Sequence, residues 1–172
     1  IDASIDQQNA QNDQSACQTI ASTLVNENCD LILAIATPAA QAVAGATADI
    51  PVVCTAITDF AASGLVEDNE APGCNVTGTS DMNPVADQIE LLHQLVPEAK
   101  TVGLLYCTAE SNSKLQIDLA AEELDRLGIE GVEYTASSSN EVQQVVESMV
   151  GKVDAIYTPT DNTIASAMTV IA

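Results

Sequence analysis

Short apolar runs alternate with helical patterns along the chain. Runs rich in Val, Ile and Leu predict strands, whereas apolar residues that recur every three or four positions predict one buried helix face. The predicted strands are residues 30–35, 50–55, 101–106, 129–134 and 153–157, with a further strand from the alternation over 1–6. The predicted helices cover about residues 12–25, 37–45, 83–96, 111–127 and 139–150, and a last helix opens near Asn162. This order predicts an α/β fold with parallel sheets and right-handed crossovers.

The rhythm pauses between residues 58 and 83, which favours two lobes over one continuous sheet. The predicted lobes are residues 1–78 and 79–172, with a crossing segment near 76–83. The continuous apolar run at 30–35 is typical of a strand buried on both sides. Because the chain opens inside one pattern and stops inside another, we expect a partial chain. The first lobe would lack its first strand and helix, and the second its C-terminal part.

Charge removes several function classes. The 172 residues carry 25 Asp and Glu against 4 Lys and Arg, a formal net charge of −21. Four cations cannot neutralise a nucleic-acid backbone, and an anionic membrane surface would repel the chain. No apolar run approaches the roughly 20 residues of a transmembrane helix. We therefore expect an acidic globular protein without nucleic-acid partners.

The spacing of cysteine and histidine does not predict a metal site, and no cofactor is expected. The five cysteines form no CxxC pair, and His93 is the one histidine that could complete a Cys/His cluster. Cys54 and Cys107 lie in apolar strand contexts and are interpreted as small buried hydrophobes. Motifs for a nucleophile elbow or a phosphate-binding loop are absent from the sequence, and His93 is predicted on the exposed side of its helix. The chain is therefore not predicted to be an enzyme.

Polar loops follow the predicted strands, at the edge where α/β proteins bind ligands. Helix N-termini near Thr37 and Ser111–Ser113 suit a carboxylate, because their N–H groups are free and the helix dipole is positive there. Asp59 and Asp161 could accept hydrogen bonds from an ammonium group. A zwitterion requires both features. For any single loop the alternative is that these residues only cap helices.

The same loops carry a resemblance to a known family. The strings ATPAAQ, TGTSDM and PTDNT, within DLILAIATPAAQAVA, NVTGTSDMNPVADQIELLHQLVPEAKTVGLLY and SSSNEVQQVVESMVGKVDAIYTPTDNTIASAM, resemble ABC-transporter substrate-binding proteins of the tryptophan- and aromatic-amino-acid-binding lipoprotein type. The resemblance covers nearly the whole chain. It implies a two-lobed type I periplasmic-binding-protein-like fold, an amino-acid ligand, ABC permease subunits as partners and no cofactor. It also implies an extracytoplasmic location, as a periplasmic protein or a cell-surface lipoprotein, and a monomer is expected.

The resemblance also assigns ligand-binding positions. In the first lobe they are Thr37, Pro38, Ala39, Thr58 and Asp59, and in the second lobe Glu110, Ser111, Asn112, Ser113, Asp161 and Asn162. Phe60 stands where many members have Pro, and it could stack on a ligand ring or simply pack in the core.

Two other functions stay open at this point. The ligand-sensing domain of a LacI-type transcription regulator has the same two-lobed fold and would follow a basic helix-turn-helix segment. An α/β enzyme that lacks its catalytic segment is the third possibility.

Overall fold

A computed structural model describes residues 2–171, in which strands and helices alternate as the sequence predicts. The first elements are α1 (Gln14–Asn26), β1 (Ile32–Ile35), α2 (Thr37–Ala46), β2 (Val52–Ile57) and β3 (Val76–Ser80). They are followed by α3 (Val85–Leu95), β4 (Thr101–Cys107), α4 (Ser111–Leu127), β5 (Glu130–Ala136), α5 (Ser139–Met149), β6 (Ala155–Tyr157), α6 (Asn162–Ser166) and α7 (Met168–Ile171). The chain forms two compact units, which divide between Asp81 and Met82.

The first unit is built on a three-stranded parallel sheet in the order β1-β2-β3. Alternate strand residues pack with α1 and α2 into one core, which includes Ile32, Val52, Val76 and Val43. Parallel strands need such helical crossovers to connect their ends.

The other face of β1 does not have the burial that the sequence predicts. Ile32 and Ala34 are buried, but Leu33 is 58% exposed and Ile35 is 62% exposed. The prediction of a strand buried on both sides is therefore wrong for β1 as it stands in this unit. The continuous apolar run records the side chains' chemistry, whereas burial depends on which elements cover each face.

The second unit is a parallel sheet in the order β5-β4-β6, with β4 in the centre. Val102, Leu104 and Tyr106 pack with α3 and α4, while Leu105 packs with α5 and α6 on the opposite face. The apolar run of β4, unlike that of β1, belongs to a strand buried on both sides, because helices cover both faces of β4.

Three local predictions differ from the structure. Residues 2–6 form no strand and leave Ile5 86% exposed, and Ile1 lies outside the described residues. Residues 76–80, which lie in the crossing segment predicted near 76–83, are the third strand of the first unit. The units divide three residues after the boundary predicted at residue 78. Over residues 2–171, no helix combines the length and apolar character needed to cross a bilayer.

Candidate functional site

The loop from β1 into α2 leaves a buried hydroxyl without a partner. Ala36 is the N-cap and adopts φ 74°, a left-handed conformation that is uncommon for alanine. Its N–H donates to the carbonyl of Thr55 at 3.0 Å, which fixes the loop to β2. Thr37 is therefore the first helical residue rather than the predicted cap. It is 2% exposed, and its Oγ1 has no hydrogen-bond partner among residues 2–171.

This hydroxyl lies at the N-terminus of a ten-residue helix. The first N–H groups of a helix have no intrahelical acceptor, and the positive dipole end favours an anion. Pro38 and Ala39 complete the first turn and are half-buried. The β1–α2 loop thus combines an unpartnered donor with a positive helix end, as a carboxylate requires.

The loop after β2 lies at the same edge of the sheet. Thr58 is buried, and Asp59 closes the turn by accepting hydrogen bonds from the Ala62 N–H at 2.8 Å and from Asn69 Nδ2 at 3.1 Å. Each bond uses a different carboxylate oxygen, so Asp59 retains lone pairs. The Phe60 ring is buried in the core of the first unit, so of the two alternatives for this residue the structure shows packing.

In the second unit, Glu110 and Asp161 are both buried and serve as internal caps. Glu110 accepts hydrogen bonds from the backbone and side chain of Asn162 and of Thr163, over 2.7–3.1 Å. Although Glu110 occupies the N-cap position of α4, its carboxylate therefore holds the start of α6.

Asp161 ties three segments together. Its Oδ1 accepts from the Ile164 N–H at 2.8 Å, and its Oδ2 accepts from the Cys107 N–H at 2.7 Å and from Ser113 Oγ at 2.8 Å. The carboxylate is thus engaged by the chain itself, and Ser113, which the sequence predicts as part of a carboxylate site, donates to it. Asp161 is the N-cap of α6, so the capping alternative describes this residue in the structure.

The buried environment changes the ionisation of Asp161. Burial raises the pKa of Asp161 above its usual value, and the neighbouring Glu110 carboxylate raises it further. The three hydrogen bonds from Ile164, Cys107 and Ser113 oppose this rise by favouring the ionised form. The capping network therefore includes a carboxylate whose ionisation carries a cost.

A second polar cluster surrounds Thr160. The side chain of Asn112 donates to the Thr160 carbonyl at 2.9 Å, and Gln116 Oε1 accepts from the Thr160 N–H and hydroxyl, both at 3.2 Å. Asn83 Nδ2 donates to Thr160 Oγ1. Asn112 is 3% exposed, and its Oδ1 is a buried acceptor without a partner.

Sequence reasoning missed three members of this cluster: Asn83, Gln116 and Thr160. Gln116 could have been found from the sequence, since it lies one turn after Asn112 on the buried face of the helix, with Ile117 and Ala120. A buried amide needs a polar partner. The role of Thr160 depends on contacts with residues that are distant in the chain.

The cysteines and His93 form no cluster that could hold a metal among the described residues. Cys54 and Cys107 are buried, as predicted, and burial raises the pKa of Cys54 to about 11. His93 is half-buried rather than exposed, and its Nδ1 lacks a hydrogen-bond partner.

Two α/β units with parallel sheets, each with polar loops at the carboxyl ends of its strands, define a type I periplasmic-binding-protein-like fold. A leucine binding protein from Thermotoga maritima shows the same fold, with a TM-score of 0.59 at 17% identity over 85% of this chain and 42% of that one. The family model for ABC transporter substrate binding protein matches residues 2–172. The chain therefore belongs to this family, whose members are substrate-binding proteins rather than enzymes.

Two similar proteins are described as binding an amino acid. A tyrosine-binding protein from Clostridioides difficile (strain R20291) is 48% identical over 168 residues, which are 98% of this chain and 49% of that protein. The ABC domain from Streptococcus pneumoniae, solved in complex with L-Trp, is 44% identical with a TM-score of 0.96, over 98% of this chain and 59% of that one. The chain thus spans about half the length of the curated relative.

Proposed function

We propose that the complete protein is the extracytoplasmic solute-binding component of an ABC importer and that its ligand is an aromatic L-amino acid. Support comes from the 48% identity to a tyrosine-binding protein and the 44% identity to a domain that holds L-Trp. The family assignment does not favour a transcription regulator. Permease subunits receive the loaded protein, and a lipid anchor or the periplasm keeps it outside the cytoplasm.

The observation that carries the ligand class is the unpartnered Thr37 hydroxyl at the α2 N-terminus. We assign the ligand carboxylate to this position, since a buried donor without an acceptor costs free energy until a ligand supplies one. The N–H groups of the first turn and the helix dipole act on the same anion. Pro38 and Ala39 border this position, and Thr58 and Asp59 form the neighbouring loop.

The ligand ammonium group is assigned to the second unit. Asn112 Oδ1 is buried and accepts no hydrogen bond from the part of the chain that the structure describes, so an ammonium donor would satisfy it. Ser111 precedes Asn112 at the start of α4, and Asn162 begins α6. Glu110, Ser113 and Asp161 hold the starts of these helices from within, because Ser113 donates to Asp161 and Glu110 accepts from the side chains of Asn162 and Thr163. Closure of the two lobes brings both ends of the ligand into contact with protein.

Calorimetry on the complete protein tests this function. L-Tyr and L-Trp should bind, whereas tryptamine, which lacks the carboxylate, and indole-3-propionate, which lacks the ammonium group, should each bind at least about a hundredfold more weakly because each leaves a buried group unpaired. L-Asp and L-Lys are the control ligands, because they have the same backbone groups as L-Tyr and L-Trp but charged side chains. Failure of both aromatic amino acids to bind would contradict the proposal, as would equal affinity for tryptamine.

A further inference from the structure

The segment that joins the two units is hydrogen-bonded to a candidate ligand loop in each of them. On the first-unit side, Ser80 ends β3 and its Oγ donates to the Thr58 carbonyl at 2.7 Å. The next residue, Asp81, donates its N–H to the Ile57 carbonyl at 2.9 Å. Both acceptors lie where β2 passes into the loop of Thr58 and Asp59.

That end of β2 departs from regular strand geometry. The register shifts between Cys54 and Ile57, and Ala56 adopts φ 57° in the left-handed region. A bulge of this kind re-aims the residues that follow it. Ser80 and Asp81 therefore hold the bent end of β2, and with it the direction in which the Thr58 loop leaves the sheet.

On the second-unit side, Asn83 makes the corresponding contact. Its Nδ2 donates to Thr160 Oγ1 and, at 3.5 Å, to Gln116 Oε1. Thr160 immediately precedes Asp161, and its N–H, carbonyl and hydroxyl are bonded to Gln116 and Asn112. Asn83 thus joins the cluster that positions the loop of Asp161 and Asn162.

We propose that Ser80 and Asn83 are positioning residues that couple ligand binding to the joining segment. Only Asp81 and Met82 separate them in the chain, so a change of backbone angles between the units acts on both loops through these two side chains. Ligand held by the loops in turn favours one conformation of the segment, because each hydrogen bond survives only in that conformation. This inference rests on the proposed function and adds two residues to those assigned as ligand contacts.

Stopped-flow binding of L-Trp and L-Tyr to the complete protein tests the coupling. Asn83→Ala and Ser80→Ala should each raise the ligand dissociation rate by about threefold to tenfold, the effect of one lost hydrogen bond. Ser80→Thr keeps the hydroxyl and should restore the parent rate. Thr160→Val removes the oxygen that Asn83 contacts, so the double variant with Asn83→Ala should dissociate no faster than Thr160→Val alone.

Two control variants separate coupling from loss of stability. Ser148→Ala removes a hydroxyl bonded to a backbone carbonyl at 2.6 Å on α5, and Asn75→Ala removes an amide that holds the Thr47 and Ile50 carbonyls in the first unit. Asn75→Ala should lower the thermal midpoint without changing the dissociation rate. If Asn83→Ala fails to fold, the dissociation rates of Ser80→Ala and Ser80→Thr test the coupling. If the parent protein binds and the Ser80 and Asn83 variants have unchanged dissociation rates, the coupling alone is overturned. If the parent protein binds neither amino acid, the proposed function and the coupling are overturned together.

Discussion

At the residue scale, the same residue types serve as caps and as ligand contacts, and only their hydrogen-bond partners separate the two roles. Thr37 and Asp161 were both candidates on equal grounds of sequence. In the structure the hydroxyl of Thr37 is buried without a partner, whereas both oxygens of Asp161 are bonded within the chain. Substitutions at the two positions should therefore have opposite consequences for binding and stability.

Thr37→Val removes the hydroxyl and keeps the side-chain shape. Because Oγ1 has no partner among the described residues, its removal should leave the free energy of unfolding without ligand unchanged or raise it by up to about 3 kcal/mol. Affinity for L-Trp or L-Tyr should fall by about 1.5–3 kcal/mol, the usual effect of losing a hydrogen bond to a charged group. Calorimetry and thermal unfolding of the complete protein measure both quantities, and Thr37→Ser is the control that keeps the hydroxyl. A valine variant that binds like the parent would refute the carboxylate assignment.

Asp161→Asn should destabilise the fold by about 1–3 kcal/mol near neutral pH, because its amide group opposes the Cys107 N–H and leaves that donor unpaired. The folded-state pKa of Asp161 is raised by burial and by Glu110, so the stability that comes from protonating it is present below the ordinary value of 3.8 and lost as pH rises through the raised value. The asparagine variant cannot gain this stability. The difference between parent and variant should therefore widen as pH is lowered from neutrality through the raised pKa towards 3.8.

Asp154→Asn is the matched control for this pH dependence. Hydrogen bonds from the Lys100 and Thr101 N–H groups lower the pKa of Asp154, so its contribution is present above 3.8 and lost only as pH falls through the lowered value. Urea unfolding should give a constant difference for this variant over the same pH range. If the Asp161 difference were equally constant, the raised pKa would not be contributing to stability.

At the element scale, the close approach of β3 to β2 depends on a missing side chain. A Cβ on Gly78 would lie 1.9 Å from the Cys54 carbonyl oxygen, which is backbone and cannot move aside. Gly78→Ala should therefore cost at least about 3 kcal/mol. Gly45→Ala places the same methyl group in α2 with nothing within 4 Å, and should stabilise by about 0.5–1 kcal/mol. Chemical denaturation of both variants measures the contrast, and equal effects would argue against the close approach.

The order of elements was predictable because each carries its own periodicity and end signals. The prediction for α4 matches the helix at both ends, since Gly128 adopts the left-handed conformation that stops it. Burial was less predictable, because Leu33 and Ile35 have the same chemistry as Leu104 and Leu105 but are left exposed by the elements of the described residues. The carboxyl-end loops were correctly found as polar, whereas the Asn83–Thr160 contact joins residues 77 positions apart and leaves no local pattern.

At the scale of the whole molecule, the excess of acidic residues dominates the electrostatics. The net charge is −21, and ion pairs in the described residues involve Lys114 and Arg126, each with two exposed or partly exposed acids. Exposed pairs of this kind contribute about 0–1 kcal/mol each. Repulsion among the remaining carboxylates is then the larger effect of the surface charge on stability.

Added salt should therefore stabilise the protein. Raising the ionic strength from about 0.01 M to 1 M shortens the Debye length from roughly 30 Å to 3 Å, which screens repulsion between distant carboxylates more than attraction within a contact pair. The thermal midpoint should rise by a few degrees with NaCl, because relief of repulsion outweighs the weakened ion pairs. Choline chloride at equal ionic strength is the control, since screening does not depend on the cation. A midpoint that falls with salt would mean that the Lys114 and Arg126 pairs contribute more than the repulsion, and a rise with NaCl alone would indicate specific sodium binding instead of screening.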